Sequence, residues 1–135
     1  MPASPTIHFV WEFGLPLPAG TGGSENYTIG HVRELNRRGV RAEVVTVGVV
    51  GPDGRADFPD VPFRALDRVS EVGRLDGIVV FVTEFPAVGT RRPAFQMLHV
   101  PPPTEAADRT RVAERTRGRT LIATSHFAAR LWSTF

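Results

Sequence analysis

The chain has 135 residues, 41% hydrophobic and 22% charged, with a formal net charge of +2. These are the proportions of one globular domain, and no apolar run approaches the roughly 20 residues that a membrane-spanning helix needs. Cysteine is absent, which excludes disulfides, thiolate metal sites and a cysteine nucleophile.

Lysine is absent as well, so all 16 basic side chains are arginines and no Schiff-base or P-loop lysine exists. The pI near 10.3 follows from counting strong arginine bases rather than from a large net charge. Arg109, Arg111, Arg115, Arg117 and Arg119 alternate with Asp108 and Glu114. That mixture reads as a solvated face, whereas nucleic-acid binding asks for single-sign patches. Met1 to Thr6 shows no charged segment leading into a signal-peptide core, so a cytoplasmic protein is expected.

In chain order, the β-branched and aromatic run Thr6–Trp11 predicts a first strand. A glycine-containing loop follows, from Phe13 to Gly23, and then a helix with Ser24 as N-cap and Glu25 in its first turn. Ile29, Val32 and Leu35 supply its apolar stripe, and Gly39 stands just past its end. Arg41–Val47 predicts the second strand, which completes a βαβ unit.

Gly51-Pro52-Asp53-Gly54 reads as a turn, Val61–Leu66 as a short edge strand and Asp67–Arg74 as a short helix. Gly77–Thr83 is a continuous β-branched run suited to a parallel strand buried on both faces. Phe95–Val100 predicts another strand, closed by three prolines. Glu105–Arg117 has helix-forming composition with little apolar stripe, so it is expected to be exposed or poorly ordered. Thr120–Thr124 reads as the last strand. Ser125 then caps a helix whose apolar residues Phe127, Ala128, Leu131, Trp132 and Phe135 keep helical spacing to the final residue. A pattern with no stop signal suggests a piece of a longer protein.

Alternating strands and helices predict an α/β fold: a Rossmann-like, doubly wound, mainly parallel sheet with helices on both faces. Ligands of such sheets bind beyond the carboxyl ends of the strands, at the topological switch point. The glycine loop, Glu84, His99 and Ser125-His126 all follow strands. A dinucleotide fingerprint fails, because Glu25 stands where the third glycine belongs and the second strand ends without a ribose-binding acid. A P-loop fails for want of lysine. Each candidate also has a plain reading: a turn for Gly22-Gly23, a hydrogen-bonded strand end for His99, a helix cap for Ser125, solvation for Glu12, Glu84 and His126. His8 and His31 read as structural. Trp11, Phe13 and Phe85 read as core or rim, or else as an open aromatic stacking wall.

Taken together, Gly22-Gly23-Ser24-Glu25 opening the first helix, Leu35-Asn36-Arg37-Arg38-Gly39-Val40 before the second strand, the strand ending in His99 and "IATSHFAARLW" have an order that resembles the N-terminal domain of GT-B glycosyltransferases, specifically the retaining family 4 type. Val40 stands where that family commonly has histidine. The resemblance spans nearly the whole chain as one acceptor-side domain, 1–135. It implies a retaining sugar transferase with a nucleotide-sugar donor, whose cleft lies between this domain and a C-terminal donor-binding domain outside the chain. Gly22 and Gly23 would approach the donor phosphates or the acceptor. His99 would lie near the transferred sugar as the catalytic candidate, with Glu84, Ser125 and His126 as further binding candidates.

No two glutamates stand eight positions apart, so the family's Glu-x₇-Glu element is missing, and the segment between Thr83 and Phe95 is shorter than the usual crossover. The domain is therefore expected to be inactive alone. The expected partners are the donor, an unknown acceptor, the missing domain, a second copy through the Leu131-Trp132-Phe135 end, and a membrane surface touched peripherally. No nucleic acid, metal or other cofactor is expected. The alternative is a non-catalytic α/β interaction or oligomerisation module.

Overall fold

A computed structural model describes residues 3–12, 22–49 and 54–135. Among them the chain forms β1 (Ile7–Glu12), α1 (Gly23–Arg37), β2 (Ala42–Val47), β3 (Phe63–Leu66), β4 (Ile78–Phe81), β5 (Phe95–Leu98), α2 (Ala106–Thr116), β6 (Thr120–Ala123) and α3 (His126–Trp132). Two short 3-10 segments, Arg55–Asp57 and Val69–Arg74, lie before and after β3. The strands form one sheet in the order β3-β2-β1-β4-β5-β6, every pair parallel. The order reverses between β1 and β4, which fixes the switch point there.

Strand alternation divides the apolar residues between two faces. Phe9, Trp11, Val44, Val80, Val82 and Met97 join Ile29 and Val32 of α1 on one face. Val10, Val45, Val79 and Phe81 pack on the other face against Val72 and Leu75. Leu98, next to Met97 and so on the opposite face from α1, packs with Val112 of α2 and Trp132 of α3. The sheet is covered by helices on both sides, as the doubly wound reading expects.

Several local expectations need correction. Gly22, extended at φ −142°, is the N-cap of α1, without a side-chain cap; Ser24 lies within the first turn, where its carbonyl accepts from Thr28 Oγ1 at 2.9 Å. The segment after β3 is a 3-10 stretch, Val69–Arg74, whose Glu71 carboxylate accepts from the Asp67 and Arg68 amides. The Glu105–Arg117 region is an ordered helix: burial of Val112 and Thr116 docks it while the rest of its surface faces solvent. α3 ends at Trp132, and that indole is buried, with Nε1 donating to the Val100 carbonyl at 3.0 Å. The apolar surface near the chain end is therefore Phe127, 65% exposed, with Leu131, rather than Trp132. The loop 13–21 and positions 51–53 of the predicted turn lie outside the described residues.

At the amino ends of the strands, His8 of β1 donates from Nδ1 to Glu43 Oε1 of β2 at 2.7 Å, and Arg64 of β3 donates to the same oxygen at 2.8 Å. Burial works to raise the Glu43 carboxyl, but the hydrogen bonds from His8 and Arg64 and the Arg64 charge outweigh it and hold it below the ordinary value. Gly77, entering β4, lets this corner close: a Cβ there would overlap the Thr6 carbonyl oxygen and the His8 ring. At Gly23 a Cβ would meet nothing. Gly77→Ala is expected to lower unfolding free energy by about 2 kcal/mol, because backbone must move to admit the methyl. Gly23→Ala should leave the urea midpoint unchanged or slightly raised. Equal midpoints for the two variants would contradict this packing.

Candidate functional site

The first helical turn of α1 and the end of β5 meet on one side of the sheet. Gly22 precedes that turn, and a side chain there would overlap the Glu25 carboxylate, which folds back over the N-cap. Gly22 thus makes room for a charge the protein itself supplies, while Gly23 leaves its own Cβ direction open. Tyr27, one turn into α1, sets its ring edge-on to His99 with centroids 5.1 Å apart, and its other neighbour His31 lies 3.9 Å away. Gly22, Glu25, Tyr27 and His99 are in this way brought together across β1 and β4.

The His99 imidazole is half-buried, and burial holds its pKa below the ordinary histidine value; the Glu25 charge opposes this shift and His31 adds to it. Its Nε2 is buried with no hydrogen-bond partner among the described residues, and the same is true of Trp11 Nε1 on the same face. Trp11 is 4% exposed and belongs to the core, not to an open stacking wall. Buried polar atoms are nearly always paired, so the two orphaned ring nitrogens at the carboxyl ends of β1 and β5 stand out from the rest of the described interior.

A second set of groups lies at the switch point itself. Glu12 ends β1, and its carboxyl is raised by burial and by the charge of Glu84, which follows β4; Arg115 of α2 pulls in the opposite direction. Sequence reasoning had placed both carboxylates at strand ends but not their interaction, which depends on β1 and β4 being neighbours. The Glu84 carbonyl accepts from Gln96 Nε2 at 3.1 Å, fixing the backbone where β4 ends. Gln96 is wholly buried and also faces the Phe81 and Met97 carbonyls.

The remaining candidates are separate. Ser125 caps α3, its hydroxyl accepting from the Ala128 amide at 3.0 Å. His126 is exposed in the first turn of that helix, and neither residue makes a described hydrogen bond or ring contact with His99 or α1. Phe85 packs on Trp132 with centroids 6.1 Å apart, a structural role. His31 Nδ1 donates to the Tyr27 carbonyl at 2.8 Å on the α1 surface. No three His, Asp or Glu side chains among the described residues are grouped to hold a metal ion. No described helix is long and apolar enough to cross a membrane.

No family model, curated protein or solved structure matches the chain. The lowered His99 pKa fixes a sign: below about 6.5 the unfolded chain binds this proton first. Stability should rise with pH from the folded midpoint up to about 6.5, and His99→Asn should flatten that rise. An NMR titration placing the His99 midpoint at or above 6.5 would contradict the burial described.

Proposed function

We propose that the chain is the acceptor-side, Rossmann-like half of a retaining, metal-independent glycosyltransferase that uses a nucleotide-sugar donor. The observation that carries this reading is the convergence of the Gly22-Gly23 helix start and the half-buried, unpartnered His99 Nε2 on one side of the switch point. A neutral imidazole there can exchange hydrogen bonds with a sugar hydroxyl at neutral pH without placing a second positive charge in the crevice. The first-turn amides of α1 present partial positive charge, suited to the developing charge on a departing diphosphate. Glu25 lies over the N-cap, so an incoming phosphate must displace or outcompete that carboxylate. This favours acceptor hydroxyls over donor phosphates as the groups first received on this half.

In this reading Glu12 and Glu84 border the acceptor, Ser125 and His126 lie at its margin, and donor recognition comes from a second domain. Alone, the chain should transfer little or no sugar. The alternative reading, an interaction module, is favoured by one feature, an apolar groove of about 410 Å³ beside Tyr27 that is lined by Phe95, Met97 and Ile122.

Saturation-transfer NMR against a panel of mono- and disaccharides separates the two. A hydroxylated acceptor should bind, and His99→Ala should weaken it roughly tenfold, the value of one hydrogen bond at the upper end of its range. Ser125→Ala should leave binding unchanged. Absence of any saccharide binding, or binding indifferent to His99, would contradict the transferase reading.

A further inference from the structure

The arginines that read as a scattered, solvated set in sequence converge in space. Arg91 and Arg92 from the β4–β5 connection and Arg111, Arg115, Arg117 and Arg119 from the end of α2 and its exit line one cavity of about 690 Å³. Glu114 is its only acidic lining residue among those described. Part of its wall, Pro93-Ala94 and Gly118-Arg119, lies at the amino ends of β5 and β6, whereas His99 follows the carboxyl end of β5. Arg115 borders both regions, but neither Gly22 nor His99 lines this cavity, and what it binds does not rest on the glycosyltransferase reading.

Local ion pairing accounts for only part of the charge. Arg91 pairs with Asp76, and Arg111 Nη2 lies 2.7 Å from Asp108 Oδ1. Arg92 donates to the Asp76 carbonyl and Arg115 to the Phe85 carbonyl. Arg119 donates to the Gln96 side chain and to the Pro86 and Val88 carbonyls, and Arg117 has no described partner. Arg92, Arg115, Arg117 and Arg119 thus have no carboxylate partner among the described residues. Complementing the negative end of the α2 dipole explains cations at Arg115 and Arg117. It does not explain why the β4–β5 connection, from a different part of the chain, brings two more to the same cavity.

We propose that this cavity binds a small organic polyphosphate, a ligand with at least two linked phosphate groups. Planar guanidinium forks match phosphate oxygens, and several forks that form no ion pair around one concavity ask for more negative charge than a single carboxylate supplies. The volume lies in the range of small-molecule sites. Asp76, Asp108 and Glu114 interrupt the positive surface around it, which suits a compact anion better than an extended nucleic-acid backbone. Two glycines of the wall leave the backbone open to close approach: a Cβ at Gly89 or at Gly118, where φ is +78°, would meet nothing.

Inorganic pyrophosphate and ADP, titrated into the ¹⁵N-labelled chain, are the probes. Saturable shifts of the Gly89 and Gly118 amides are expected with both. Arg117→Glu, at a side chain without a partner, should weaken pyrophosphate roughly tenfold or more, and Arg92→Gln severalfold. Arg130→Glu, the same charge change on α3 outside the cavity, should alter affinity less than about twofold. Equal effects of Arg117→Glu and Arg130→Glu, or no saturable shift at either glycine, would overturn the proposal. So would Arg117-dependent binding to phosphatidylglycerol vesicles or single-stranded oligonucleotides without a pyrophosphate response, which would make the surface a macromolecular one.

Discussion

The β4-β5-β6 half of the sheet depends on one polar pair, the buried Gln96 and the half-buried Arg119. In a doubly wound fold the connection from β4 to β5 ordinarily carries a helix that satisfies its own backbone. Here residues 82–94 contain no helix, and their carbonyls need other donors. Arg119 provides them at Pro86 and Val88, holds Gln96 Oε1 at 3.1 Å, and stacks its guanidinium 4.0 Å from the Phe81 ring centroid. Burial lowers its pKa to about 10, with Arg115 adding to the shift, so it remains charged at neutral pH. Gln96 carries the restraint on to the Phe81 and Glu84 carbonyls.

That pair joins the switch-point crevice to the arginine-lined cavity. On one side it fixes the backbone of Glu84, whose charge raises Glu12 at the switch point. On the other, Arg119 itself lines the arginine-rich cavity. The β1–β4 adjacency and the parallel order then set the remaining geometry: α1 must begin beside the carboxyl end of β1, and β5 must deliver His99 two strands away on the side of Tyr27. Helix starts and strand ends gather at one edge because every strand points the same way.

Much of this was legible in the sequence because apolar periodicity states it directly. The uninterrupted β-branched run before Thr83 could hardly be anything but a central parallel strand, and Ile29, Val32 and Leu35 named the buried side of α1. Polar burial was not legible. Gln96 and Arg119 look like solvent-facing residues until the strand order places Phe81, Pro86 and Val88 around them. Thr28 and Thr116 bond to carbonyls of their own helices and so enter the interior without an apolar side chain. Among site residues, the placement of the Gly22-Gly23 helix start and of His99 beyond the carboxyl ends of β1 and β5 followed from the predicted fold. The Glu12–Glu84 interaction and the arginine cavity required neighbour relations between segments distant in the chain. Ser24 misled because a capping residue type stood two positions too late, after Gly22 had adopted the extended N-cap conformation unaided.

The central claim is that Arg119, through Gln96, holds the β4–β5 connection over the sheet and so organises both sites. Hydrogen–deuterium exchange of Arg119→Met tests it most directly, since methionine keeps an apolar stem and removes the donors. Exchange should accelerate in the 82–94 peptides and at the 117–120 turn, while the β1 and β2 peptides keep their protection. Unchanged exchange across 82–94, in a variant that remains folded, would contradict the account.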